Sequence, residues 1–99
     1  MVAFKKMWND VEEIISKNTI KDFYITEKCS EGFVVKDNAD CFFVGKQDFV
    51  DFWCNMLYFK EISLDELNKR KEPNLKYVCA VIKHLPYIKV NSGVMKVLE

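Results

Sequence analysis

Cys79 and His84 are a thiol and an imidazole near one another in this sequence, and a thiol beside a base is the minimum for nucleophilic catalysis. Five residues apart on one helix, the two side chains point in different directions, so they do not make a nucleophile and its base. Among Cys29, Cys41, Cys54 and Cys79 no pair is separated by two to four residues, and His84 completes no ligand pattern. Neither a metal site nor a disulfide framework is expected. Asp37 and Asp40 flank a turn, where aspartate serves local hydrogen bonding, and a calcium or acid–base reading lacks further partners. Three glycines, at positions 32, 45 and 93, leave no phosphate-cradling loop. The expectation is a chain that is not an enzyme and needs no cofactor.

Binding chemistry is better represented, because charge is segregated along a chain whose formal net charge is zero. Residues 1–45 hold six basic against eight acidic residues, a net of −2, and residues 46–66 hold Lys46 and Lys60 against five carboxylates, a net of −3. Residues 67–98 reverse this: Lys69, Arg70, Lys71, Lys76, Lys83, Lys89 and Lys96 face Glu72 alone, a net of +6. A solvated lysine-bearing surface is the plain explanation, and a polyanion-binding one is the sharper alternative.

The elements that must position these cations are legible from periodicity. With 99 residues the chain has room for one domain and one modest core, and no apolar run approaches the roughly 20 residues of a membrane span. The amino-terminal stretch lacks a signal-peptide block, so a soluble, cytoplasmic protein with reduced cysteines is expected, Cys54 and Cys79 falling where small core residues belong. Phe4, Met7, Trp8, Val11, Ile14 and Ile15 line one face of a helix ending near Asn18. That stripe packs on its own chain or, alternatively, against a second copy in a homodimer. DFYITEK, GFVVK and CFFVG then read as a three-stranded antiparallel meander with turns at Glu31-Gly32 and Asp37–Asp40. Phe23, Ile25, Phe33, Val35 and Phe43 are its expected inward residues.

Helical period returns at Gln47 with Phe49, Phe52, Trp53, Met56 and Leu57, a stripe widened by Val50, Cys54 and Phe59. Ser63 and Glu66 have the spacing of a capping box, with Ile62 and Leu67 as its hydrophobic staple, predicting a short helix from Leu64 to about Lys71 that Pro73 ends. Asn74 can cap a further helix whose buried stripe is Leu75, Val78, Cys79, Ile82 and Leu85. Its outward face collects Lys76, Lys83 and His84 around the small Ala80, with Tyr77 on the edge. A helix that enters a DNA major groove needs that arrangement, since bulk at its centre would hold the backbone away from the bases. YIKV and VMKVLE, joined at Asn91-Ser92-Gly93, form a terminal hairpin bearing Lys89 and Lys96, with the Asn and Gly of the turn tolerating positive φ.

In this order, residues 47–98 resemble the winged helix-turn-helix family, on the strength of the Ser63-Leu-Asp-Glu cap, the turn at Glu72-Pro73 and the segment YVCAVIKHLPYIKV. The expected fold is thus α+β: an amino-terminal helix and meander over 1–45, then a winged-helix-like three-helix unit with a carboxy-terminal hairpin over 46–99, in a single domain. The resemblance implies base or groove contacts from Lys76, Tyr77, Lys83 and His84, and phosphate contacts from Lys69, Arg70, Lys71, Lys89 and Lys96. It implies a double-stranded DNA-binding protein in transcriptional control, acting alone or as a homodimer. Overall neutrality and the lack of arginine on the third helix oppose this. The rival is a protein-binding adaptor or inhibitor, for example a small phage-encoded anti-defence protein acting on a nuclease complex, using the acidic half or exposed Trp8, Phe42 and Tyr58.

Overall fold

The computed structural model describes residues 3–17, 20–21, 23–70, 72 and 74–98. Lys71 and Pro73, named above as a phosphate contact and a helix stop, lie outside the described residues. The chain is α+β: α1 (Phe4–Lys17), β1 (Tyr24–Cys29), β2 (Gly32–Asp37), β3 (Asp40–Gly45), α2 (Lys46–Phe59), β4 (Glu61–Ser63), α3 (Leu64–Lys69), α4 (Leu75–Ile82), β5 (Ile88–Asn91) and β6 (Val94–Val97). Both sheets are antiparallel and three-stranded, ordered β1-β2-β3 and β4-β6-β5. Among the described residues no helix is long and apolar enough to cross a membrane.

α1 follows its periodic stripe: Met7, Trp8, Val11 and Ile15 are buried against the rest of the chain. Trp8 meets the Phe49 ring edge-on at 5.3 Å, so it offers nothing to a partner or a second copy, contrary to the expectation that it is exposed. In the meander, Phe33 pairs with Val44 and Val35 with Phe42, and pairing partners share a sheet face. Val44 is therefore buried and Phe42 half-buried, while Phe43 turns outward and is 52% exposed, correcting its inward assignment. CFFV does not alternate, so only its neighbour β2 could set the register.

α2 begins where the Asp48 carboxylate accepts the Gly45 amide at 3.0 Å, and it buries Phe49, Phe52, Trp53 and Met56 at the centre of the core. Cys54, about 140° round the helix from Phe49, is exposed rather than in the core. Phe59 is exposed too and stands edge-on to Tyr58 at 4.8 Å. Ser63 does stand at the start of α3, but its hydroxyl makes no capping bond. The residue belongs to β4, a strand that periodicity did not indicate, and the Leu64 amide is held by the Gly93 carbonyl at 2.8 Å. At the hairpin tip the two positive-φ residues are Ser92 and Gly93, while Asn91 is still in β5. Positive φ at both central residues suits the right-handed twist of a two-residue hairpin turn.

Candidate functional site

α3, α4, the inner face of the β5–β6 hairpin and Phe42 of β3 line an open groove of about 750 Å³. Leu64 and Leu67 come from α3, Leu75, Cys79 and Ala80 from α4, and Val90 and Met95 from the hairpin. Val90 and Met95 are register partners and so point to the same side, which is why both reach the groove. Arg70, Lys76 and Lys83 stand among the groove-lining residues with one carboxylate, Glu72, and all four are exposed.

The basic residues divide into two groups. Lys89 pairs with Lys96, and Lys96 also with Glu61, in positions adjacent to Val90 and Met95 along the strands. Alternation therefore puts Lys89 and Lys96 on the sheet face opposite the groove, beside an acidic neighbour. Lys69 and His84 are exposed outside the groove, Lys69 at the end of α3 and His84 in the turn after α4.

Tyr77 and Ala80 depart from the outward face expected of them, being only 2% and 8% exposed. The meander is the reason: the rings of Phe23 and Phe42 lie 5.1 and 5.7 Å from the Tyr77 ring. The Tyr77 hydroxyl donates to Asp37 at 3.0 Å, and the Lys76 ammonium reaches the same carboxylate oxygen at 3.1 Å. The Lys76 hydrogen bond, then that from Tyr77, holds the Asp37 carboxyl below its usual range, and Lys76 is raised in return, chiefly by Asp37. Burial, then Asp37, raises the Tyr77 phenol. Asp37, a turn residue by its local sequence, therefore clamps the start of α4 from 39 positions away from Lys76. No local signal could show this.

Asn74 likewise leaves its capping role. Its side-chain amide donates to the Phe43 carbonyl at 2.8 Å and to the Asp48 carboxylate at 3.0 Å, tying the foot of α4 to β3 and α2. α4 is thus recessed, with the meander on one side and the hairpin on the other.

No family model, curated protein or solved structure matches this chain.

Cys79 lines the groove floor, half-buried, and burial pushes its thiol up to about 11 despite the opposing charge of Lys83. At pH 8 only about 0.1% of such a thiol is thiolate, the reactive form. Iodoacetamide should therefore modify exposed Cys29, Cys41 and Cys54 first, with Cys79 slower by a factor of ten or more. Peptide mass spectrometry over a time course checks this, and equal rates at all four would show that the groove floor is open to solvent. Among the described residues no three His, Cys, Asp or Glu side chains gather as metal ligands.

Proposed function

We propose that this chain is a non-enzymatic binding module of winged-helix type that docks a protein, acting as an adaptor or inhibitor. The observation that carries the reading is the apolar groove along α4. The winged-helix part is supported by the order α2, β4, α3, α4, β5, β6, with β4 joining the hairpin in a β4-β6-β5 sheet. The protein-binding part is supported by what surrounds α4. A helix that reads the major groove must stand clear of its own domain so that several side chains reach base edges. α4 is walled in on both sides, Tyr77 and Ala80 are buried, Lys76 is paired with Asp37, and Lys89 and Lys96 face away from the groove and its cations. Partly exposed apolar side chains at the groove, Val90, Leu64 and Leu75 among them, suit a protein surface instead.

Duplex DNA is the second reading, favoured by the exposed Lys69, Arg70 and Lys83 on the α3–α4 side. The two are separated by titrating random-sequence duplex DNA at about 50 and 200 mM salt. The expected result is no micromolar binding at either. Micromolar binding that weakens steeply with salt, and that is lost when Lys69→Ala, Arg70→Ala and Lys83→Ala are combined, would sink the protein-docking reading and restore the DNA one.

A further inference from the structure

We infer that the groove accepts one apolar face of an amphipathic helix that carries carboxylates on the flanks of that face. The inference rests on the protein-docking reading and names the chemistry of the partner. The α4 wall, Leu75–Ile82, is eight residues long, about 12 Å or a little over two turns, and the hairpin supplies the facing wall through Val90 and Met95. A bound helix would present side chains at i, i+3, i+4 and i+7 to such a trough. Val90 is 45% exposed in a hairpin whose other inward residues, Ile88, Met95 and Val97, are buried, so the trough is shallow and one of its apolar side chains is left to solvent. An enclosed small-molecule site would instead bury most of its ligand.

Charge decides the flanks. Arg70, Lys76 and Lys83 stand against Glu72 in a chain that is neutral as a whole. Lys76 and Lys83 are seven residues apart on one helical stripe, about 10 Å along the axis, the spacing of carboxylates two turns apart on a helix lying along α4. Asp37 holds the Lys76 ammonium and offsets part of its charge, so Lys83 and Arg70 carry most of the attraction for a carboxylate flank. Arg70, at the end of α3, supplies a cation from a second element of the groove.

The test is selection of a random 16-residue peptide library on the full chain, followed by fluorescence anisotropy and methyl NMR with synthetic peptides from the enriched pool. Leu64, Leu75, Val90 and Met95 methyls report the groove. The expected pool shows apolar residues at i, i+3, i+4 and i+7 flanked by Asp or Glu, shifts those methyls, and binds at least tenfold more weakly to an Arg70→Glu, Lys83→Glu double variant. Because both side chains are exposed, that variant should keep the native circular dichroism. Replacing the peptide's acidic residues by lysine should restore binding to it. Peptides that shift the groove methyls without an acidic flank, or that bind the double variant equally well, would overturn the acidic-helix inference while leaving protein docking intact. No enriched peptide at the groove would overturn both. If dodecanoate shifts the same methyls and no peptide does, the occupant is an anionic amphiphile and the inference fails.

Discussion

Phe49→Ala is expected to cost about 3–5 kcal/mol of folding stability, the range for removing a large aromatic from a closely packed core. Phe49 has no exposed surface, and its ring lies 5.3 Å from Trp8 of α1 and 5.9 Å from Phe33 of β2. One side chain on α2 therefore joins the amino-terminal helix and the meander to the carboxy-terminal half, and its loss opens a cavity at their common boundary. A chain of this length has about 5–15 kcal/mol in total, so the variant should keep half or less of its stability if it starts near the lower end. Its melting temperature should fall by roughly 15–30 °C. Urea unfolding followed by tryptophan fluorescence is suited to the measurement, since Trp8 and Trp53 are both buried. Tyr58→Ala is the control: at 80% exposed, that residue should change stability by no more than about 0.5 kcal/mol. A loss below about 1 kcal/mol for Phe49→Ala would mean that α1, α2 and the meander are not held through this ring.

The elements with a strong period were readable in advance, and those set by distant contacts were not. α1 and α2 each present a single apolar stripe, and in both the stripe is what the core buries. The meander and hairpin followed from short β-prone runs punctuated by turn residues, and their pairing is as expected. α4 fails differently. A stripe argument assumes one buried face, yet this helix is covered on a second side by Phe23 and Phe42, which belong to the other half of the chain. Tyr77 and Ala80 were therefore assigned to solvent when the meander buries them.

The caps show the same limit at shorter range. Ser63 and Asn74 were correctly placed at helix starts, but the polar groups there have other partners: the Leu64 amide meets Gly93, and the Asn74 amide meets Phe43 and Asp48. Local sequence determines where a helix can begin; tertiary contacts determine which acceptor a donor takes. The groove was half visible. The sequence groups Lys76, Ala80, Lys83 and His84 on one face of α4; the first three line the groove and His84 lies outside it. What covers the far side, Val90 and Met95, depends on strand register and on β4, three residues too short to show a period.

Gly32→Ala carries the second large effect, and it separates lack of space from backbone strain. Gly32 opens β2 at φ 154°, paired with Gly45 at the end of β3. A Cβ there would fall on the Val44 carbonyl oxygen, 2.8 Å from the Phe43 ring and 2.9 Å from the Gly45 Cα. The ring could turn aside because Phe43 is half-exposed, but the carbonyl and the Cα are backbone. That backbone is also fixed from beyond, since the Glu31 carbonyl accepts the first amide of α2, Lys46, at 2.7 Å. Overpacking costs about 1–3 kcal/mol and a disfavoured φ about as much again. Gly93→Ala supplies the comparison: its φ is also positive, 78°, but nothing lies within 4 Å of the added carbon, so only the left-handed cost of about 1–2 kcal/mol remains. Denaturation midpoints of the two variants should thus differ, with Gly32→Ala the more damaging by about 1–3 kcal/mol. Removing the ring as well, in Gly32→Ala with Phe43→Ala, should recover little, because the obstacle that cannot move is the Val44 carbonyl. Equal losses in the two glycine variants, or full recovery in the double variant, would show that β3 can give way at this point and that the β3–α2 junction is softer than its hydrogen bonds imply.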